Sequence, residues 1–169
     1  MTAQNVINIT SLLLSQTQAN QMAARYEDAI AALQKQNGSC TGNNDTLAQL
    51  VIKRIFETYD PSIPPRGQGV NVVIDMLVQD FSDMSEIRRT FSVDVLFSQI
   101  WQDRGLRYDY MTHCIENFTL GYKMVDRIWI PNVCLANSRK SEIHSSPTPN
   151  IFLLIFPNGT VWVNYRVFI

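Results

Sequence analysis

The sequence predicts an all-β fold, an immunoglobulin-like β-sandwich carrying an N-terminal α-helix, and three stretches carry that prediction. TLAQLVIKRIFETY (46–59) places Leu47, Leu50, Val51, Ile55 and Phe56 close to the 3.6-residue period of a helix. TFSVDVLFSQIWQD (90–103) alternates with the two-residue period of a strand. NIFLLIF (150–156) and TVWVNYRVFI (160–169) flank PNG (157–159), which reads as a hairpin turn. One helix followed by short strands and Pro/Gly turns argues a sandwich with a capping helix.

Residues 1–45 form an N-terminal extension, partly helical or disordered. A helix is expected over 19–36, where good helix formers dominate, and NGSCTGNNDT (37–46) breaks it with Gly and Asn. Asp45 or Thr46 can cap the next helix, 46–59, and DPSIPPRGQG (60–69) ends it with three prolines and two glycines. VNVVIDMLVQDF (70–81) is β-branched and mostly apolar, hence a strand, and SDMSEIRR after it suits an exposed turn. In the strand 90–103, Phe91, Val93, Val95, Phe97 and Trp101 share one face, interrupted by Gln99. Ser92, Asp94, Leu96, Ser98 and Ile100 share the other.

Composition narrows the function. Of 169 residues, 46% are hydrophobic and 17% charged, enough for one domain with a real core. A net charge of −1 gives no basic excess for nucleic acid. The longest plain apolar run, IFLLIF (151–156), is far short of the ~18 residues of a membrane span. The start, MTAQNVINITSLLL, makes a poor signal peptide, lacking a basic beginning and broken by Asn8, Thr10 and Ser11. Yet N-x-[ST] occurs at Asn8, Asn37, Asn44, Asn117 and Asn158, where 13 Asn and 23 Ser plus Thr would give about two by chance. These glycosylation candidates indicate a lumenal or extracellular protein with an incomplete or atypical start.

Enzymatic motifs are missing. No G-x-S-x-G, H-E-x-x-H or P-loop occurs, His113 and His144 are far apart, and no catalytic residue or cofactor is predicted. Asp75, Asp80, Asp83 and Glu86 straddle a strand end and a turn, where a solvated face is the default. Cys40, Cys114 and Cys134 show no zinc-ligand spacing, so no metal is predicted. At most one internal disulfide can form, and the sequence does not choose the pair.

One segment gathers an aromatic anchor, a stiffener and a charged loop: DRIWIPNVCLANSRKSEIH (126–144). Together with YDPSIPPRG, a strand ending in WQDRGLRYD, and PNIFLLIFPNGTVWVNYRV, in that order, it resembles the extracellular ligand-binding domain of Cys-loop (pentameric) ligand-gated ion channels. The flavour is that of the anion-selective branch, which includes glycine, GABA, histamine and invertebrate glutamate receptors. The match covers about 46–169 and is densest over 90–104 and 126–169.

The resemblance implies a receptor glycoprotein at the plasma membrane, on its extracellular side. It implies a small-molecule agonist bound between the subunits of a pentamer to gate a chloride pore. Trp129 would pack in the sandwich core, and Pro131 would stiffen the start of a strand carrying binding loop A. Cys134 and Asn137 would lie near that loop on the principal side of the cleft. Leu96 and Ser98 on one strand, and Trp162 and Asn164 on another, would line the complementary side. Several positions depart from the family pattern. Ser98 stands where amino-acid-gated relatives usually place a carboxylate-binding Arg. Cys134 stands where many carry a loop A aromatic, and Asn132 replaces a structural Asp. The family implies an amino-acid transmitter as agonist, whereas these departures count against the usual recognition of glutamate, GABA or glycine and fit gating by protons or zinc. Arg166 could supply a positive charge instead, although an Arg on a surface strand is more often solvated or ion-paired. The chain stops at Ile169, before the family's disulfide loop, binding loops B and C and four membrane helices. The expectation is a C-terminally incomplete domain, attached to the membrane only through helices that follow it. The alternative is a truncated secreted or lumenal module without a pore, one that modulates full-length subunits, or a fragment without function of its own.

Overall fold

A computed structural model describes residue 21, residues 24–32, Cys40, and residues 44–65 and 69–169 of the chain. Residues 24–32 are helical (α1), inside the expected 19–36, whose remainder lies outside the described residues apart from residue 21. Helix α2 spans Asn44–Thr58. It starts just before Asp45 and Thr46, so both stand in its first turn, where an acidic side chain meets the positive end of the helix dipole. Leu47, Val51 and Ile55, four residues apart, are all buried. Burying side chains of this kind stabilises by about 1.5–3 kcal/mol each.

Among the described residues six strands follow: β1 (Val72–Ser85), β2 (Thr90–Gln102), β3 (Phe118–Leu120), β4 (Glu142–Ile143), β5 (Ile151–Ile155) and β6 (Thr160–Phe168). All pairings are antiparallel, in the order β1-β2-β6-β5-β3, with β4 pairing β6 beyond the start of β5. The expected all-β architecture with its N-terminal helix is therefore present, and the six strands share one sheet.

Register decides what each face carries. Trp101 lies opposite Val161, Gln99 opposite Val163, Leu153 opposite Val163, Ile155 opposite Val161, and Phe118 opposite Ile155. All of these are buried. On this face they form one core with Ile30 of α1, the apolar stripe of α2, and Leu106, Tyr108, Met111, Ile115, Val125 and Ile128 from the segment between β2 and β4. Trp129 packs against this core, its ring edge-on to Trp101 at 6.1 Å between centroids. Gln99, which breaks the apolar alternation, is buried with it at 4% exposure.

A buried carboxylate joins the parts. Asp103, 2% exposed, accepts from the Tyr59 hydroxyl at 2.6 Å and from the Gly105 amide at 2.8 Å. The Tyr59 hydroxyl in turn accepts from the Trp129 amide at 3.0 Å, and the Asp103 amide donates to the Gly159 carbonyl at 2.8 Å. The end of α2, the end of β2, the Trp129 segment and the β5–β6 turn thus meet at one residue. Gly159 holds φ +83°, and a methyl there would collide with the Asp103 carbonyl oxygen. Glycine meets both demands.

The cysteine pairing left open by the sequence is Cys40 with Cys114. It ties the chain just ahead of α2 to the segment between β2 and β3. Cys134 is a free, exposed thiol.

The β1–β2 hairpin differs from the expectation in length. Strand β1 continues to Ser85 instead of ending at 81, so the polar stretch SDMS is strand and only residues 86–89 turn. From Val73 to Met84 every residue of β1 is exposed. Strand β1 is the outermost strand of the sheet, with Phe81 and Phe91 packed across the hairpin at 6.0 Å between ring centroids.

Three tyrosines packed in or against the core make stability sensitive to alkali. Burial is the main reason that Tyr59 and Tyr108 are held well above the ordinary tyrosine range, and the hydrogen bond to Asp103 adds to it at Tyr59. Burial, and then the charge of Asp126, push Tyr165 up to about 12. A raised folded-state pKa means the unfolded chain loses the proton first. The neutral tyrosines therefore stabilise fully below about pH 10, and that contribution is lost as pH rises toward 12 and beyond. Thermal melts from pH 8 to 11.5 are expected to show a flat melting temperature up to about pH 9.5 and a steepening fall above it. Tyr108→Phe, which keeps the ring, should flatten part of that fall.

Candidate functional site

The sheet face turned away from the core carries the residues that the sequence singled out. On β2 it presents Asp94, Leu96, Ser98 and Ile100; on β6 it presents Trp162, Asn164 and Arg166. Leu96 lies opposite Arg166, Ser98 opposite Asn164, and Ile100 opposite Trp162. Phe152 of β5 lies across Asn164 on the other side. The alternation of each strand dictates this: the same period that buries Val161 and Val163 turns Trp162 and Asn164 outward.

An open groove of about 440 Å³ runs over this face, with Leu96, Phe152, Asn164 and Arg166 in its lining and Pro149, Asn150 and Ile151 along one wall. Trp162 stands beside it, edge-on to Phe152 at 6.4 Å between ring centroids, and its buried indole Nε1 has no hydrogen-bond partner among the described residues. Four of the predicted residues therefore share one surface. Their exposures differ: Leu96, Trp162 and Asn164 are half-buried, and Ser98 is buried at 5%. Ser98 forms part of the floor between Asp75 of β1 and Asn164 of β6, its partners on the two sides.

The charge on this face is organised around Asp94. Arg166 grips its carboxylate with two nitrogens, Nη2 to Oδ2 at 2.6 Å and Nε to Oδ2 at 3.2 Å. His144 Nε2 lies 3.4 Å from Oδ1, with its ring edge-on to Phe168. The Asp94 carboxyl is held below the usual aspartate range, first by the hydrogen bonds from Arg166 and then by that cation's charge, against an opposing effect of burial. The backbone at this corner is fixed as well: the Arg166 amide donates to the Asn150 carbonyl at 3.1 Å and the His144 amide to the Arg166 carbonyl at 3.0 Å. Of the two states expected of an Arg on a surface strand, solvated or ion-paired, Arg166 adopts the ion pair. Asp94 was placed on this face by alternation alone; its link to Arg166 depends on the β2–β6 register, 72 positions apart, which no local pattern shows.

Cys134 and Asn137 sit elsewhere. The segment 129–137 is irregular and carries no strand, contrary to the strand expected at loop A. Pro131 is buried, and a turn follows, closed by the Ser138 amide on the Leu135 carbonyl at 3.2 Å. Both Cys134 and Asn137 are exposed on it, and no hydrogen bond or ring contact among the described residues joins either to the groove. Asp103, the hub beneath this segment, was not singled out from sequence; its signal was an aspartate directly before Arg-Gly, the spacing with which it caps the short 3-10 turn Arg104–Leu106.

Of the glycosylation candidates, Asn117 and Asn158 are exposed on loops, accessible to a glycan. The Asn158 side chain accepts from the Thr160 amide at 2.9 Å in the β5–β6 turn. Asn44 begins α2, while Asn8 and Asn37 lie outside the described residues. Among the described residues no group of His, Cys, Asp and Glu is arranged to hold a metal, and no helix is long and apolar enough to cross a membrane.

Comparison with known proteins converges on one family. Residues 48–169 match the family model described as the neurotransmitter-gated ion-channel ligand binding domain. From Caenorhabditis elegans, ligand-gated ion channel 50 is 41% identical over 128 residues, which cover 76% of this chain and 26% of the relative. A serotonin-gated chloride channel of the same organism is 34% identical over 69% of this chain and 24% of its own length. An acetylcholine-gated chloride channel subunit is 35% identical over 79% of this chain and 29% of its own. The chain spans about a quarter of the length of these relatives.

Proposed function

Because the chain belongs to the neurotransmitter-gated ion-channel ligand-binding domain family, we propose that it is the extracellular agonist-binding part of a chloride-channel subunit, a receptor and not an enzyme, gated by a small cationic amine. The observation that carries the reading is the groove over β2, β5 and β6, which holds Leu96 and Asn164, has Trp162 at its side, and offers no unpaired Arg. A primary or quaternary ammonium suits such a surface: an indole and a phenyl ring provide π faces, and the one guanidinium is already engaged. The names of two relatives, gated by serotonin and by acetylcholine, point the same way.

In this reading the site is completed by a neighbouring subunit in a pentamer. Leu96, Trp162 and Asn164 act from the complementary side, with Ser98 as floor. Cys134 and Asn137 act from the loop of the adjacent subunit. Agonist opens the pore by binding the open arrangement more tightly than the closed one. Asn117 and Asn158 carry glycans on the extracellular surface.

The full reading frame expressed in oocytes, challenged in turn with acetylcholine, serotonin, GABA and glutamate under voltage clamp, is the direct test. A current that reverses at the chloride potential and is evoked by an amine is the expected result. A current evoked by glutamate and not by either amine overturns the ligand class, and a cation-selective current overturns the chloride assignment.

A further inference from the structure

Resting on the reading above, we propose that Asp94 is a specificity-determining residue: by occupying Arg166 it cancels the one positive charge that lines the groove and so selects cationic over anionic ligands.

Arg166 lines the groove directly, opposite Leu96, and is 43% exposed at its side chain. Left alone, a guanidinium in this place is a carboxylate site, since its planar fork matches two oxygens at once. Asp94 is 14% exposed and takes that fork with Nε and Nη2 together. An anionic ligand would have to displace a carboxylate anchored on the neighbouring strand, or approach with that carboxylate's charge close behind the cation. Either way the attraction falls from that of a charge to that of a dipole.

The rest of the face has the same sign. Asp75 lies opposite Ser98, and Asp80, past the bulge in β1, lies opposite Asp94. Both are exposed, and no ion pair to either is formed among the described residues. Three carboxylates therefore share the outward face of β1, β2 and β6 with one guanidinium. His144, packed against Asp94 from the end of β4, is the remaining titratable group at this corner; Glu142 of β4 pairs with Lys140 at 2.8 Å. A groove whose lone cation is neutralised, set in an acidic face, concentrates positive ligands and repels negative ones.

A purely structural ion pair and a charge filter make opposite predictions for its two halves. Losing either partner of a structural pair does similar damage. In a filter, Asp94→Asn frees Arg166 and favours anions, whereas Arg166→Gln frees Asp94 and favours cations. Leu96→Cys in a Cys134→Ser background places a reporter thiol in the groove of this chain. Its reaction rates with a cationic and an anionic methanethiosulfonate of equal reach then give a ratio that depends on charge at the site and not on agonist. Relative to the reporter protein with Asp94 and Arg166 intact, Asp94→Asn is expected to lower the cation-to-anion ratio about 10-fold and Arg166→Gln to raise it several-fold, the scale of one charge in a partly screened cleft. Ratios that move in the same direction, or stay within about 2-fold of that reference in both variants, overturn the proposal. The test is separate from the functional reading: an expressed receptor silent to every amine would overturn that reading while leaving this ratio to decide the role of Asp94.

Discussion

Replacing Asp103 by alanine is expected to destabilise the chain by about 3 kcal/mol, among the largest effects of any single substitution outside the apolar core. The side chain is 2% exposed and takes two hydrogen bonds, at 2.6 Å from Tyr59 and 2.8 Å from the Gly105 amide. Its removal leaves both donors facing a small void, and a donor stranded away from water costs about 1–3 kcal/mol. Loss of the tie also loosens the Tyr59 hydroxyl that receives the Trp129 amide. Asp103→Asn keeps the shape and one acceptor oxygen, so a loss of about 1–2 kcal/mol is expected there. Urea unfolding with an unchanged slope, read as a shift in midpoint, measures both. An alanine variant within about 0.5 kcal/mol of the parent would show that the hub contributes nothing measurable.

The second large effect is covalent. Cys40 and Cys114 are 74 positions apart, and closing a loop of that length removes unfolded-chain entropy worth about 4 kcal/mol in the loop-closure description. Cys114→Ser should therefore lower stability by about 3–4 kcal/mol. Reductant should lower the parent to the level of the variant and leave the variant itself unchanged. A parent indifferent to reductant would mean that the bridge contributes little.

How much of this was legible in the sequence follows from the range of each interaction. The stripe of α2 and the alternation of β2 are local, so Leu47, Val51 and Ile55 and the two faces of 90–103 could be read directly. The PNG turn was legible because a hairpin needs a glycine-like conformation, and Gly159 holds it. What depends on register was not legible. Ser98 sits on the outward face as alternation requires, yet it is buried, because a small side chain between two strands is overtopped by its neighbours. The partner of Cys114 and the grip of Arg166 on Asp94 join positions 74 and 72 apart, and only the assembled fold selects them. The extra length of β1 escaped for a different reason: SDMS is largely polar, and a hairpin solvated on both sides leaves no apolar alternation to read.

The hydrogen-bonded hub has a mechanical consequence. The Trp129 amide, the Tyr59 hydroxyl, the Asp103 carboxylate with its own backbone amide, and the Gly159 carbonyl form a short brace from the base of the Cys134 loop to the turn from which β6 departs. The brace makes them two ends of one stiff unit, so a displacement at the base of the loop reaches that turn without first deforming the sheet.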